Sequence, residues 1–154
     1  MMRKAKIEWN GFMDIAMSSS PNEACAFLYS SGPYFTPEIW RVYPIRNVSE
    51  TAEHEWKPHL KDYKKVKERA AKNKFIELGN IHTHPYDKDW GDVEEQLMPS
   101  DTDLKYALQY RSMVRGIMVV DNDAIYGIRF HDPWGREIDI SIEEDVVLIT
   151  GLKQ

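Results

Sequence analysis

Two histidines separated by one residue, His82 and His84, are well suited to bind a metal ion together. In an extended segment, side chains two positions apart point to the same side, so both imidazoles would reach one ion. Asp103 could add an oxygen ligand from a separate element, and a water molecule would complete a tetrahedral site. Two histidines, one carboxylate and an open position are typical of a catalytic zinc site, whereas a structural site is closed by four protein ligands. The spacing therefore predicts one zinc ion per chain, bound by His82, His84 and Asp103.

Each part of this pattern has a plainer explanation when it is taken alone. A pair of histidines with one spacer often occurs by chance, and Ser100-x-x-Asp103 also spells a helix capping box. In a capping box Ser100 would cap the helix and Asp103 would bond back to its backbone, with no metal involved. Glu23 could simply lie at the exposed start of the apolar run 24–29, although a carboxylate entering a buried element costs free energy unless it has a partner.

The order of the motifs is more specific than any one of them. The chain carries, in sequence, Glu23, His82-x-His84-Pro85 and Pro99-Ser100-x-x-Asp103. This combination resembles the JAMM (MPN+, JAB/Mov34) family of zinc metalloproteases. That family has a Glu before a Cys-containing apolar strand, then His-Ser/Thr-His-Pro, then Pro-Ser-x-x-Asp. The resemblance extends over most of the chain, and Asn47 suits the Asn that follows the second main strand of the family.

The resemblance implies a role for each motif residue. It implies zinc ligation by His82, His84 and Asp103, and catalytic roles for Glu23 and Ser100. Glu23 would hold the attacking water and act as general base, then as acid toward the leaving amine. A carboxylate in this place typically adds about 10² to 10⁴ in rate. Ser100 would help to stabilise the tetrahedral oxyanion, and this role is compatible with capping a helix.

The resemblance also implies a class of substrate. Members of the family mostly cleave peptide or isopeptide bonds after the C-terminal Gly-Gly of ubiquitin or ubiquitin-like proteins, so the expected partner is such a protein and the expected activity is that of a deubiquitinase-like isopeptidase. One alternative is a peptidase that trims a sulfur-carrier-type precursor. Another is an inactive scaffold of the same fold, but such scaffolds generally lose residues of the motif, and all of them are present here.

A thiol nucleophile is a further alternative, because Cys25 is the single cysteine of the chain. The histidines that could serve it as a base are better used on a metal, and a cysteine at the centre of a strand is usually an inert small hydrophobe. We therefore expect Cys25 to have no catalytic role.

The spacer between the two metal-binding motifs, residues 86–98, is longer than the common form in the family, and we call it the 86–98 segment. Between positions 87 and 95 it carries five acidic residues against one lysine, with Trp90-Gly91 at its middle. Because both of its ends lie beside the metal ligands, we predict that it recognises substrate, with Trp90 packing on a basic tail that Asp87, Asp89 and Asp92 attract. A solvated surface loop is the plainer interpretation.

Length and composition restrict the other possibilities. A chain of 154 residues is expected to form one domain, spanning residues 1–154. Its net charge of −5 argues against nucleic-acid binding, which requires a basic face. No apolar run is long enough to span a membrane, and the N-terminus leads into no signal-peptide core. With one cysteine, a reducing and therefore cytoplasmic location is expected. The oligomeric state is not predicted.

The elements that must position these residues alternate between strands and helices. Periodicity predicts strands at 4–8, 24–29, 39–48, 75–81, 115–121, 124–130 and 137–142, and helices from about 9 to 18, at 58–73 and at 100–110. The sum is an α/β fold with a mixed, largely antiparallel sheet flanked by helices, of the JAB/MPN-like, cytidine-deaminase-like sandwich type that the resemblance implies.

Several side chains are assigned to the core or to the solvent by the same patterns. Apolar spacing places Val48 with the anchors of the strand at 39–48, Leu60 in the stripe of the second helix, and Leu104, Ala107 and Leu108 inward on the third. His131, which precedes Asp132-Pro133, is expected to lie in a loop.

Overall fold

The computed structural model describes residues 3–32, 38–110 and 113–151, and these residues form eight strands and four helices. In chain order the elements are β1 (Arg3–Glu8), α1 (Phe12–Ser19), β2 (Cys25–Ser30), β3 (Ile39–Ile45), α2 (Leu60–Lys72), β4 (Ile76–Pro85), α3 (Val93–Gln96), α4 (Asp101–Tyr110), β5 (Val114–Val120), β6 (Ile125–His131), β7 (Asp139–Glu143) and β8 (Val146–Gly151). The inward placement predicted for Ala107 and Leu108 lies outside the described side chains.

All eight strands belong to one sheet, in the order β6-β5-β4-β2-β3-β1-β8-β7. The pairs β1/β3 and β4/β5 are parallel and the other neighbours are antiparallel. The two edges approach each other at one end, where the amide of Ile138 donates to the carbonyl of Phe130 at 2.8 Å. The predicted mixed, largely antiparallel sheet is confirmed.

The core lies on both faces of this sheet because every residue of β2 is buried. Alternate residues of a strand point to opposite faces. Ala26 and Leu28 accordingly join a cluster that includes Phe12 and Ala16 of α1. Cys25, Phe27 and Tyr29 join a second cluster with Trp56 and with Ala70 of α2. The helices α1 and α2 therefore cover opposite faces, which gives the predicted α/β sandwich.

Two side chains predicted to lie in the core differ in the structure, and one strand was not predicted. Val48 and Leu60 are 45% and 70% exposed, because β3 ends at Ile45 and Leu60 is the first residue of α2. A further strand, β8, follows β7 through a turn in which Glu144 has a φ of 55°. Turns that need a left-handed residue usually have Gly or Asn at that position. Because a glutamate occupies it here, the sequence did not indicate this turn.

The described part of the chain contains no helix that is both long and apolar enough to cross a membrane.

Candidate metal centre

The two histidines lie side by side in the interior of the sheet. β4 is paired on both sides, antiparallel to β2 and parallel to β5, so that His82 lies opposite Cys25 and Ile117. The sequence predicted a strand that ended before the histidine pair, whereas β4 continues through it to Pro85. His82 is 1% exposed, and its ring stacks on Trp56 at a centroid distance of 5.8 Å. A buried, doubly paired strand fixes both imidazoles on one face.

Asp103 completes a compact triangle of possible ligand atoms. His82 Nε2 lies 3.2 Å from His84 Nε2 and 3.0 Å from Asp103 Oδ1, and His84 Nε2 lies 3.0 Å from Asp103 Oδ2. Ligands bonded to one zinc at about 2.0–2.1 Å in a tetrahedron would be about 3.3 Å apart. The observed spacing is close to that value. Together with Glu23, these side chains form a group whose ligand atoms all lie within 4.8 Å of one another and that could bind a metal ion.

The position of the proton on the His84 ring indicates whether these side chains are suited to bind a cation. His84 Nδ1 lies 2.7 Å from the carbonyl oxygen of Gln96. A carbonyl can only accept, so Nδ1 carries the proton and the lone pair of neutral His84 is on Nε2. That lone pair faces the Asp103 carboxylate, which is also an acceptor, and the contact therefore needs a metal cation or a second proton. Without a metal, burial would lower the pKa of His84, but the hydrogen bond and charge of Asp103 outweigh it and raise that pKa. The donor set of two imidazoles and a carboxylate fits a zinc ion.

Asp103 is held by the helix start that the sequence predicted. Ser100 immediately precedes α4; its amide donates to Asp103 Oδ2 at 2.8 Å, and its Oγ accepts from the Asp103 amide at 3.1 Å. Arg115 of β5 adds a bond from Nη1 to the Asp103 carbonyl at 2.6 Å. Burial alone would raise the pKa of Asp103, but the charges of His82 and His84 and their hydrogen bonds hold it well below its usual value. The capping box thus orients an ionised Asp103 toward both histidines.

Glu23 lies at the edge of this group on a backbone that is fixed from several directions. Its amide donates to the Ala52 carbonyl at 2.6 Å, and its carbonyl accepts from Asn47 Nδ2 at 2.8 Å. The next amide, that of Ala24, donates to Thr83 Oγ1 at 2.8 Å, which ties this turn to β4 between the two histidines. Asn47, which the sequence placed only by resemblance, therefore positions Glu23.

The carboxyl group of Glu23 is buried and incompletely paired. The residue is 5% exposed, and among the described residues Oε1 has no hydrogen-bond partner. Burial, followed by the charges of Asp103 and Glu55, raises the pKa of Glu23 to about 8, against the opposing effect of His84. A buried oxygen without a partner is costly unless a water molecule or a ligand occupies the adjacent space.

Comparison with solved structures identifies the fold. A JAB1/MPN domain protein from Archaeoglobus fulgidus superimposes with a TM-score of 0.52 and 16% sequence identity, over 84% of this chain and 88% of that one. A protein from Desulfitobacterium hafniense, solved in solution, superimposes with a TM-score of 0.51 and 16% identity, over 92% of this chain and 86% of that one. The chain has a JAB1/MPN fold. No protein-family model matches the sequence, and no curated protein matches it.

Within this JAB1/MPN fold a groove reaches Glu23 from the surface. Its volume is about 630 Å³. The residues that line it come from α1, the turn before β2, the end of β3 and the start of the following loop, and from α2: Ile15, Ser18, Ser19, Asn22, Glu23, Ala24, Pro44, Ile45, Arg46, Asn47, Val48, Ala52 and Asp62. The lining of the groove includes both apolar and hydrogen-bonding side chains.

The thiol alternative is disfavoured by the surroundings of Cys25. The residue is 1% exposed, and its Sγ donates to the carbonyl of Ile45 at 3.3 Å. Burial, with the nearby charge of Glu23, raises the pKa of the thiol to about 12. A thiol in this environment stays protonated and is a poor nucleophile.

The residues predicted to recognise substrate lie on the surface of the 86–98 segment. Trp90 is 68% exposed, and Asp87, Asp89 and Asp92 are exposed as well. Two of the three aspartates also stabilise the segment: Asp87 Oδ1 accepts from the Asp89 amide at 2.9 Å, and Asp92 Oδ1 accepts from the Glu95 amide at 2.9 Å. The second bond caps α3, a helix that was not predicted although Asp92-x-x-Glu95 is a helix-start signal.

Two buried polar residues near the candidate ligands were also not predicted. His131 ends β6 and is 2% exposed, so its predicted place in a loop is wrong; the strand continues past Phe130 and turns only at Asp132. Burial and the charge of Arg129 lower the pKa of His131 to about 4. His82, Asp103, Arg115 and His131 line a cavity of about 10 Å³, roughly the space of one water molecule. Gln96, the other missed residue, is 1% exposed.

Proposed function

We propose that this protein is a zinc-dependent hydrolase that cleaves a peptide or isopeptide bond at the C-terminus of ubiquitin or a ubiquitin-like protein. The observation that carries the proposal is the arrangement of His82, His84 and Asp103 at 3.0–3.2 Å, with the buried carboxyl group of Glu23 beside them. A structural site would be closed by four strong ligands, whereas this set leaves a position for water or substrate.

The proposed ligands are the two Nε2 atoms and the Asp103 carboxylate. Zinc suits a set of two imidazoles and one carboxylate, and the Gln96 carbonyl leaves the lone pair of His84 on the nitrogen that faces the ion. A bound zinc ion would polarise the scissile carbonyl and lower the pKa of a water molecule from 15.7 toward about 7.

Glu23 is the proposed general base. Its Oε1, which has no hydrogen-bond partner within the described part of the chain, would accept a hydrogen bond and then the proton of the attacking water. The same carboxyl group would return that proton to the leaving amine. Asn47, Ala52 and the Thr83 contact to Ala24 hold the Glu23 backbone, so the carboxyl group is preorganised for this transfer.

Ser100 is the proposed donor to the developing oxyanion. Its Oγ accepts from the Asp103 amide, and this contact leaves the hydroxyl proton free to donate elsewhere. A donor aimed at the oxygen that gains charge in the transition state is usually worth a large part of the rate enhancement. Capping α4 and serving the substrate are therefore compatible roles for one side chain.

The substrate would be recognised by the groove next to Glu23 and by the 86–98 segment. An extended C-terminal tail would lie in the groove, and the acidic segment would attract a tail that carries Arg before its final glycines. Trp90 is available to pack on such a tail. Exposed charge pairs contribute little each, roughly 0.2–1 kcal/mol, so they would act mainly on capture and its salt dependence. A cytoplasmic location, expected from the single cysteine, is part of this proposal.

The proposal is tested by incubating purified protein with a panel of fusions to the C-termini of ubiquitin, ubiquitin-like and sulfur-carrier proteins. We expect cleavage of at least one fusion, loss of cleavage with a chelator and recovery with zinc. Glu23→Gln should keep zinc and the fold but lose turnover by about 10² or more. Wild-type turnover by Glu23→Gln would contradict the role of Glu23, and zinc-loaded protein that cleaves no member of the panel would favour a scaffold. Cleavage of the sulfur-carrier fusion alone would select the processing peptidase.

A further inference from the structure

The side chain of Gln96 organises the 86–98 segment from within. Its Oε1 accepts from the Asp87 amide at 2.9 Å, and its Nε2 donates to the carbonyls of Asp87 at 2.8 Å and Gly91 at 3.2 Å. These bonds use both polar atoms of a side chain that is 1% exposed. α3, in which Gln96 lies, has only four residues, and helices of that length do not persist without tertiary support. The fold of the segment therefore depends on Gln96.

The same segment is packed on β6 rather than extended into solvent. Tyr86 stacks on Tyr126 at a centroid distance of 4.2 Å, and Leu97 is 4% exposed. Leu97 approaches the backbone of Gly127 so closely that a Cβ there would lie 3.3 Å from its Cδ1. Glu94 pairs with Arg129. These contacts give the segment a defined position relative to the sheet.

The backbone of Gln96 connects this position to the metal ligands. Its carbonyl oxygen accepts from His84 Nδ1 at 2.7 Å, which fixes both the tautomer and the ring orientation of His84. His84 reaches the group from β4, whereas Gln96 reaches it from α3, so the bond joins two separately positioned elements. If the segment moved away from β6, His84 would lose the acceptor that keeps its Nε2 free for a metal.

We propose that Gln96 is a positioning residue that couples the fold of the 86–98 segment to metal binding at His84. Metal binding then stabilises the docked segment. Because linkage is reciprocal, a ligand that binds better to the docked segment raises the affinity for metal by the same factor by which metal raises the affinity for that ligand. This inference rests on the metal site of the proposed function, but not on the substrate or on the reaction.

Zinc affinity measured by competition with a chelator tests the coupling. Gln96→Ala removes the three side-chain bonds, and we expect it to bind zinc at least about 10-fold more weakly than the wild type, in the range usual for partners of metal ligands. Glu95→Gln is the matched control, since it changes the neighbouring exposed side chain of α3, and its zinc affinity should equal that of the wild type. Equal zinc affinity in Gln96→Ala and the wild type would overturn the inference.

Two further measurements separate positioning from a general loss of structure. Gln96→Met keeps most of the side-chain volume but loses all three bonds, so its zinc affinity should fall about as far as that of Gln96→Ala. Amide exchange at residues 87–97 should slow on zinc addition in the wild type and respond much less in Gln96→Ala. Equal zinc-induced protection in both proteins would contradict the coupling even if their affinities differed.

The ¹⁵N shifts of His84 give a readout that a merely structural role would not change. In the metal-free proteins at one alkaline pH, we expect mainly the Nδ1–H form in the wild type and a mixture of tautomers in Gln96→Ala. If the wild type binds zinc and the Gln96 variants have the same zinc affinity, amide exchange and His84 shifts, this inference is contradicted but the proposed function is not. Failure of the wild type to bind zinc contradicts the proposed function together with it.

Discussion

The hydrogen bond from His84 Nδ1 to the Gln96 carbonyl determines which nitrogen of His84 is free to bind a metal. With that proton fixed, Nε2 turns its lone pair toward His82 and Asp103. Two acceptors 3.0 Å apart repel unless a proton or a cation lies between them. At the scale of single residues, this contact is the strongest physical reason to expect a metal ion.

Glu23 yields a pH-dependent prediction for the metal-free protein. Its pKa is raised to about 8 from 4.5, chiefly by burial, so the folded state keeps a proton that the unfolded state has already lost. The stability that the protonated carboxyl group of Glu23 contributes is therefore complete below about pH 4.5. It decreases as the pH rises and is fully lost above about pH 8. Glu23→Gln is neutral at every pH and lacks this loss.

The measurement is the free energy of unfolding in chelator at pH 5 and at pH 8. We expect Glu23→Gln and the wild type to be similar at pH 5, and the variant to be more stable at pH 8 by an amount on the order of a few kcal/mol. Parallel pH profiles for the two proteins would show that the Glu23 carboxyl group is not buried as described.

At the scale of whole elements, only part of the site could be predicted from the sequence, because some contacts are local and others depend on how the elements pack. The shared face of His82 and His84 follows from the two-residue period of a strand and needs no tertiary information. The capping box at Ser100 is also local, and both of its bonds are present. The approach of Asp103 to His82, in contrast, depends on how α4 meets the sheet, and the sequence indicated it only through the order of the motifs.

Three features of the structure could not be predicted from the hydrophobic periodicity of the sequence. Gln96 is a polar residue in an acidic stretch, and it is buried while its side chain bonds to the backbone of Asp87 and Gly91. His131 stands beside Asp132-Pro133, which suggests a loop, yet β6 extends to it. The turn at Glu144 was also not predictable, because a glutamate in the left-handed conformation is not a sequence signal for a hairpin. For His131, pairing with β5 overrides the local preference for a loop.

The 86–98 segment also supports a prediction about substrate capture. Replacing Asp87, Asp89 and Asp92 by Asn keeps the side-chain acceptors that bond to the Asp89 and Glu95 amides, so the segment should remain folded. Loss of three negative charges should raise KM for a substrate with a basic tail and flatten its dependence on salt, while the zinc content stays the same.

A matched control changes Glu143, Glu144 and Asp145 to the corresponding amides, because these three exposed acidic residues lie in and next to the turn between β7 and β8. KM should not change in that control. An unchanged KM in the triple variant would mean that the segment attracts no substrate, whatever its effect on His84.

At the scale of the whole molecule, the candidate metal-binding group lies against the most protected part of the sheet. β4 is flanked by β2 and β5, and both β2 and β5 are buried along their whole length. The ligands on β4 are therefore held by strands with neighbours on both sides, whereas Glu23 and Asp103 approach from the turn before β2 and from α4. Such an arrangement fixes ligand geometry before any metal binds.

The most direct test of the central claim is the metal content of protein purified without added zinc. We predict about one equivalent of zinc per chain in the wild type, and the loss of most of it in His82→Ala and in His84→Ala. Glu23→Gln should retain the metal, since Glu23 is assigned to water and not to the ion. Full zinc retention in both histidine variants would contradict the metal centre described here.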